Sequence, residues 1–146
     1  MKKVSVLLAI CLSIALLAGC AQQGSSGGNN SDVIKIGVNY ELSGGVATYG
    51  QSSVEGLELA IKEINEAGGV NGKQIQLVKY DNKSEEAEAT TLASKLMTQD
   101  KVIAVLGPAT SGSFKATIPV AIKNKIPVIS GSATADDVTV DENGVK

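Results

Sequence analysis

From Val33 onward, short apolar runs alternate with longer amphipathic stretches, and this alternation limits the folds that the chain can adopt. The runs have the length of strands, and the stretches between them carry apolar residues at helical spacing. The pattern predicts strands at residues 33–38, 74–80, 102–106 and 126–129, and helices at 53–67, 85–99 and 113–123. Strands and helices in this order predict an α/β fold, a parallel sheet flanked by helices.

Local signals mark the ends and the buried faces of the predicted helices. Gly68 and Gly69 are expected to stop the first helix. Ser84 is predicted to cap the second helix, with acidic residues at its positive end. The buried stripe of this helix is predicted to consist of Ala89, Leu92, Ala93, Leu96 and Met97. In the third helix, Pro119 implies either a start near residue 118 or a kink.

The first twenty residues have the organisation of an export leader. Two lysines precede an apolar run at residues 4–17, which is shorter than the ~20 residues of a membrane span. The run ends in Leu17-Ala18-Gly19-Cys20, which resembles the lipobox of bacterial lipoproteins. This resemblance implies that residues 1–19 are a signal peptide and that Cys20 becomes a lipid-modified N-terminus. An ordinary secretory signal, cleaved near residues 18–21, is the alternative.

The segment after the leader differs sharply from the rest of the chain. Residues 20–32 are rich in Gly, Ser, Asn and Gln, which predicts a flexible tether behind the lipidated Cys20. Residues 33–146 are then left for the folded α/β lobe. The only cysteines of the sequence are Cys11 and Cys20, so no disulfide is expected within this lobe.

Composition disfavours several classes of function. The formal net charge is -2, and lysines are scattered among acidic residues, so we do not expect a nucleic-acid partner. The sequence has no histidine, which removes the usual acid–base group of enzymes. Residues 107–112 have the glycine spacing of a phosphate loop, but Ser113 and Phe114 stand where Lys and Ser or Thr are required. We therefore predict a chain that is not an enzyme.

No cofactor or metal ion is predicted either. The sequence contains no cluster of metal-ligating residues. Asp81, Asp136 and Asp137 are interpreted as isolated acids that are more readily solvated than chelating.

Three loops that follow predicted strands are rich in Gly, Ser and Thr. They cover residues 42–50, 107–113 and 130–134. In open parallel sheets, ligands bind beyond the carboxyl ends of the strands. Hydroxyl groups and helix N-terminal N–H groups bind a carboxylate without a full positive charge, and carbonyl groups near Ser132 could accept from an ammonium group. The sequence thus predicts a cleft for an amino acid, although each serine taken alone is equally explained as a turn residue.

An ordered series of short motifs then resembles a known family. The motifs are Ile-Lys-Ile-Gly-Val at 34–38, Leu-Ser-Gly at 42–44, Tyr-Gly at 49–50, Gly-Gly-Val-Asn-Gly-Lys at 68–73, Val-Lys-Tyr-Asp at 78–81, Ala-Val-Leu-Gly-Pro-Ala-Thr-Ser at 104–111 and Pro-Val-Ile-Ser at 127–130. In this order they resemble the opening of type 1 periplasmic binding proteins. The subgroup most similar to them binds leucine, isoleucine and valine for ABC importers.

The resemblance implies a two-lobed protein that closes on its ligand, of which this chain supplies the first part of the first lobe, the second lobe being absent. It also implies a set of ligand-binding residues: Tyr49, Ser111, Ser132, Ala133 and Thr134. Ser111 and Thr134 match residues that bind the ligand's carboxylate and amino groups, and Tyr49 matches an aromatic residue that flanks the ligand. Ser132 replaces a frequent alanine, a change expected to matter little if only its backbone carbonyl acts.

The function implied is that of an extracytoplasmic solute-binding lipoprotein, anchored at the cell membrane through Cys20. Its expected partners are a small-molecule ligand, an amino acid that is branched-chain by the resemblance, and an ABC permease. The alternative is a sensor or receptor domain for amino acids, amides or urea, because the same fold serves in receptors.

Overall fold

The computed structural model describes residues 33–140, which form a four-stranded parallel sheet with three helices. In chain order the elements are β1 (Val33–Tyr40), α1 (Ala47–Glu66), β2 (Gln74–Asp81), α2 (Glu86–Thr98), β3 (Ala104–Leu106), α3 (Ser111–Asn124) and β4 (Val128–Ile129). The strand order is β2-β1-β3-β4, and every neighbouring pair is parallel. The predicted α/β fold, a parallel sheet flanked by helices, is therefore confirmed.

Both faces of the sheet are covered, as parallel sheets require. On one face α2 and α3 pack against each other and over a core centred on Leu96 and Val105. On the other face α1 covers a smaller core that contains Val38, Tyr40 and Val54. Gly37, in β1, leaves room for Leu96 and Val105, because a Cβ atom there would lie 3.1 Å from each of them.

The buried stripe predicted for the second helix is confirmed. All five of its residues are buried, and Ala89, Ala93 and Leu96 are fully so. The predicted stop after the first helix also holds, since Gly68 and Gly69 adopt positive φ angles of 104° and 75° directly after α1. Only glycine adopts such angles without strain.

The predicted start of the first helix is wrong by six residues. α1 begins at Ala47 rather than at residue 53, and its first turns are polar and largely exposed, so periodicity did not reveal them. Gly50 belongs to this extra part and packs its backbone against the carbonyl group of Glu41. A Cβ atom at Gly50 would overlap that carbonyl group. The helix can therefore approach the end of β1 only through a glycine.

The predicted cap of the second helix is also wrong. The residue before α2 is Glu85, in extended conformation, and it makes no side-chain cap hydrogen bond. Ser84 instead has a φ of 64° and donates its hydroxyl to the carbonyl of Ser43 at 2.8 Å. Of the three acidic residues expected at the start of this helix, Glu86 and Glu88 lie in its first turn and Glu85 directly precedes it.

The third helix and the last two strands differ from the predicted bounds. α3 begins at Ser111 and continues past Pro119, which excludes a start near residue 118. Pro119 has no N–H to donate to the carbonyl of Lys115, so the helix forgoes one hydrogen bond. β3 and β4 are shorter than predicted, with three and two residues. The helices of the described residues include none with the length and hydropathy to span a membrane.

Candidate ligand-binding site

The three loops predicted to form a cleft lie at one edge of the sheet. β1, β3 and β4 are parallel neighbours, so the loops that follow them meet beyond their carboxyl ends. From β1 the chain crosses to β2 on one side, and the next crossover returns it past β1 to β3. Such a reversal of strand order opens the crevice in which open α/β sheets bind ligands.

A buried carboxylate at the end of β1 holds the loop that follows β3. Glu41 is fully buried, and its Oε2 accepts the backbone N–H of Ala109 at 2.9 Å. Its Oε1 accepts the backbone N–H of Thr110 at 3.2 Å and the Thr110 hydroxyl at 2.8 Å. The pKa of Tyr40, the residue before Glu41, is raised, mainly because its side chain is buried and secondly because the Glu41 carboxylate is adjacent. A hydrogen bond with Ser53 acts in the opposite direction. Glu41 thus joins β1 to the start of α3.

Ser111, the first residue of α3, joins the loops that follow β3 and β4. Its Oγ accepts the backbone N–H groups of Thr134 and Ala135, both at 3.1 Å. A serine hydroxyl also has one proton to donate. Among the hydrogen bonds of the described residues, none is donated by the Ser111 hydroxyl, which lies at a half-buried position.

Two further serines bind the same pair of loops together. Ser130 donates its hydroxyl to the carbonyl of Pro108 at 2.6 Å and accepts the N–H of Ala133 at 3.1 Å. Ser132 donates its hydroxyl to the carbonyl of Ala109 at 2.9 Å. The Ser132 side chain therefore has a structural role of its own, beyond the backbone role that the sequence implied for this position.

The structure places four of the five predicted residues on two hydrogen-bonded loops and the fifth in the first turn of α1. Ser111, Ser132, Ala133 and Thr134 lie on the two loops joined by these hydrogen bonds. Tyr49 is in the first turn of α1 and is 64% exposed, beside a shallow depression that it shares with Ser52 and Ser53. No hydrogen bond of the described residues links Tyr49 to the other four.

The N-terminus of α3 gives this part of the edge its chemistry. The first N–H groups of a helix have no partner within the helix and carry a partial positive charge. Thr110 does not cap them with its side chain, because its hydroxyl is bound to Glu41. A carboxylate placed here would meet backbone N–H groups and the Ser111 hydroxyl together. The carbonyl groups of the loop after β4 offer acceptors nearby.

A second carboxylate, Asp81, organises the loops that follow β1 and β2. Its Oδ1 accepts the N–H groups of Leu42 at 2.9 Å, Ser43 at 3.1 Å and Lys83 at 2.8 Å, and its Oδ2 accepts the Ser43 hydroxyl at 2.6 Å. Desolvation tends to raise the pKa of Asp81, but these hydrogen bonds outweigh it and hold the pKa below its ordinary value. Asp81 is thus partly exposed, but it also holds two loops together, a role that the sequence did not indicate.

The other acids singled out in the sequence are peripheral to the crevice. Asp137 pairs with Lys115 of α3 at 2.8 Å, so it is not isolated, and a hydrogen bond from Lys115 lowers its pKa. Asp136 is exposed. Within residues 33–140, no group of three or more acidic, Cys or His side chains is arranged to hold a metal ion.

Sequence reasoning missed Glu41 as a functional candidate. The one available signal was the position of Glu41 in the sequence. It lies between Tyr40 and Leu42, at the end of a strand that also contains Val38. A charged residue in such a setting is expected to be buried and hydrogen-bonded. The position of its partners, more than sixty residues further on, had no local signature.

Cys20 and the tether at residues 20–32 lie outside the described residues, as do the leader and the last six positions, 141–146.

The fold and the edge of loops define an α/β lobe of the kind that binds small solutes at the carboxyl ends of its strands. A family model described as periplasmic binding protein matches residues 33–145, so the chain belongs to this family. The resemblance stated from the sequence motifs is thereby confirmed.

Curated relatives and solved structures show where in the family the chain lies. It is 34% identical to the Leu/Ile/Val-binding protein of Escherichia coli K12 over 125 residues, which cover 86% of this chain and 34% of that protein. It is 53% identical, with a TM-score of 0.72, to the branched-chain amino acid transporter substrate binding protein LivJ of Streptococcus pneumoniae, solved with isoleucine. That match covers 73% of this chain and 31% of the other.

A second solved structure shows that ligands vary among these relatives. The solute binding protein of an ABC transporter from Rhodopseudomonas palustris, solved with 3,4-dihydroxybenzoic acid, is 28% identical, with a TM-score of 0.69. It is matched over 74% of this chain and 29% of its own length. These relatives are binding proteins of transporters and not enzymes. The chain spans about one third of the length of the curated relatives that it matches.

Proposed function

We propose that this chain supplies the carboxylate-binding part of the site in a solute-binding protein that delivers a branched-chain amino acid to an ABC permease. The observation that carries the proposal is the arrangement around Ser111, where a free hydroxyl proton and the N-terminus of α3 meet the loop that follows β4. The branched-chain ligand is supported by the names of the Escherichia coli and Streptococcus pneumoniae relatives.

In this proposal each loop has its own role. The Ser111 hydroxyl and the first N–H groups of α3 donate to the ligand carboxylate, since Ser111 Oγ already accepts two hydrogen bonds and has its proton to give. Thr134, which is exposed, contributes its hydroxyl. Carbonyl groups at Ser132 and Ala133 accept from the ligand ammonium group, and Tyr49 flanks the ligand from the first turn of α1.

The rest of the site would come from a second lobe that closes over the first. Ser132 and Thr134 are exposed, so a ligand held by this lobe alone would keep much of its surface in water. Closure would exclude that water and strengthen each charged hydrogen bond. We therefore expect the 146-residue chain by itself to bind amino acids far more weakly than the full-length protein.

Calorimetric titration of the full-length protein tests the proposal. Leucine, isoleucine and valine are the probes, and 3,4-dihydroxybenzoic acid is the comparison, since a relative was solved with it. We expect saturable binding of at least one of the three amino acids, with a Kd of about micromolar or lower, and much weaker binding of the aromatic acid. Tight binding of the aromatic acid, with no heat from any of the three amino acids, would contradict the proposed ligand.

The proposal also places the protein on the extracytoplasmic face of the cell membrane. Residues 1–19 would direct export, Cys20 would carry the lipid, and residues 20–32 would tether the lobe. Labelling cells with radioactive palmitate tests this, with Cys20→Ser as the variant. We expect the label in the membrane-bound wild-type protein and none in the variant. Equal labelling of both would rule out Cys20 as the anchor.

A further inference from the structure

Glu41 is unusual among the acidic residues because its side chain has no access to water. The buried polar and charged residues of the described chain are Asn39, Glu41, Asn82, Ser113 and Thr117. Glu41 is the only ionisable one in this set. Burial of a carboxylate is unfavourable unless hydrogen bonds compensate for the lost hydration. Its presence in this position therefore calls for a structural or functional explanation.

The compensation comes from backbone and hydroxyl donors rather than from a cation. The salt bridges of the described residues do not include Glu41. Both carboxylate oxygens accept from the two residues that precede α3, Ala109 and Thr110. A carboxylate that accepts on both oxygens can hold these two residues in one orientation only. A neutral amide in its place would turn an N–H group toward one of the donors.

The two residues that Glu41 holds are directly connected to the proposed ligand residues. Ser111 follows Thr110 in the chain and accepts the N–H groups of Thr134 and Ala135. The carbonyl of Ala109 accepts the hydroxyl of Ser132. A displacement of residues 109–110 would therefore disturb the loop that follows β4 as well as the start of α3.

Glu41 does not itself reach the crevice, since it is 0% exposed and its oxygens are occupied. We infer that Glu41 is a positioning residue, which holds Ser111 and the loop after β4 in the geometry that binds the ligand carboxylate. The effect of Glu41 on ligand affinity rests on the proposed function. The effect of Glu41 on the geometry of the ligand-free loops does not depend on that function. Groups that are already fixed before the ligand binds increase affinity, because less conformational entropy is lost on binding.

The test compares Glu41→Gln with wild type in the full-length protein by two measurements. The first is amide hydrogen exchange of Thr134 and Ala135 without ligand, with Val105 as the internal reference because its N–H lies within the sheet. The second is calorimetric affinity for isoleucine. The matched control is Glu58→Gln, which changes an exposed glutamate on α1 that pairs with Lys79.

In Glu41→Gln we expect exchange at Thr134 and Ala135 to become about tenfold faster, and isoleucine affinity to fall about tenfold, while Val105 stays protected. Glu58→Gln should match wild type in both measurements. A purely structural role in stability would lower the protection of Val105 as well. Wild-type exchange at Thr134 and Ala135 together with wild-type affinity in a folded Glu41→Gln protein would overturn the inference.

Two further results have defined meanings. If wild type binds none of leucine, isoleucine and valine, the proposed function fails, and the exchange rates alone decide whether Glu41 positions the loop. If Glu41→Gln does not fold, Thr110→Val replaces it, because this variant removes only the hydroxyl donor at 2.8 Å. An approximately threefold change in exchange and in affinity then supports the inference, and wild-type values for both overturn it.

Discussion

Two carboxylates organise the carboxyl edge of the sheet, and they do so in different surroundings. Glu41 is fully buried and joins β1 to the loop that follows β3. Asp81 is partly exposed and joins the loops that follow β1 and β2. Each accepts hydrogen bonds from backbone N–H groups and from one hydroxyl, so the donors are of the same kind. The main difference is access to water.

That difference implies different functions for the two halves of the edge. Asp81 is partly exposed, so water can bind the N–H and hydroxyl groups that lose this carboxylate as their acceptor. The loops that Asp81 joins, the Asp81 half of the edge, should therefore tolerate its replacement. Glu41 and the N–H group of Ala109 are buried, so the loss of that carboxylate leaves this donor without a partner. The residues proposed to bind the ligand carboxylate, Ser111 and Thr134, lie on the Glu41 half. A rigid support thus underlies the part of the site where geometry has to be fixed before binding.

The largest expected effect comes from deleting the two side chains. Glu41→Ala should lower the free energy of unfolding by about 3 kcal/mol, because it leaves buried donors unpaired. Asp81→Ala should lower it by about 1 kcal/mol, since water can reach its donors. Urea unfolding of the ligand-free protein measures both values. Equal losses in the two variants would remove the distinction between the two halves.

Removing a hydroxyl group should weaken ligand binding on the Glu41 half of the edge and leave it nearly unchanged on the Asp81 half. Ser111→Ala or Thr134→Ala should each weaken amino-acid binding by about 2 kcal/mol, because a charged group loses a hydrogen bond in a closed cleft. Ser43→Ala removes the hydroxyl bound to Asp81 and should change affinity less than twofold. Calorimetry on the full-length protein measures these changes. A comparable loss in Ser43→Ala would show that the Asp81 half also contacts the ligand.

Asp81→Asn should lower the free energy of unfolding by less than Glu41→Ala does. Asp81→Asn keeps the shape of the side chain but weakens its acceptor strength toward three N–H groups. We expect a loss of about 1 kcal/mol in unfolding free energy and little change in affinity. Thermal unfolding and calorimetry check the two parts. A large loss of affinity would mean that the loop at residues 42–46 positions the ligand.

The smallest expected effect is the pH dependence of the Asp81 contribution. The folded pKa of Asp81 is lowered, so its stabilisation is present above the unfolded value of about 3.9 and is lost as pH falls through the folded pKa. The stability difference between wild type and Asp81→Asn should therefore be constant from pH 5 to 7 and shrink below about pH 4. Urea unfolding across this pH range measures it. A difference that grows on acidification would have the wrong sign.

The sequence predicted the elements that depend on local periodicity. The α/β fold and the buried stripe of α2 were visible in the spacing of apolar residues, and the end of α1 was visible in the pair Gly68 and Gly69. The three loops could also be placed at one edge, because parallel strands bring their carboxyl ends together. The family resemblance added the expected ligand residues.

Interactions between distant parts of the chain could not be predicted in the same way. The hydrogen bonds of Asp81 to the loop after β1 were not predicted, because its partners Leu42 and Ser43 precede it by 39 and 38 residues. Ser84 was assigned as a helix cap because serine commonly has that role, yet its hydroxyl is bound to Ser43. These side chains hold loops from different strands, so their roles follow from the arrangement of the sheet and not from neighbouring residues.

A comparison of isoleucine with isoleucinamide tests whether the Ser111 edge recognises a carboxylate. Both ligands are titrated calorimetrically into full-length wild type and Ser111→Ala. The amide lacks the anionic group that Ser111 and the N-terminus of α3 are proposed to bind. We expect Ser111→Ala to weaken isoleucine binding at least about tenfold more than isoleucinamide binding. Equal losses for the two ligands, or tighter binding of the amide by wild type, would contradict a carboxylate site at this edge.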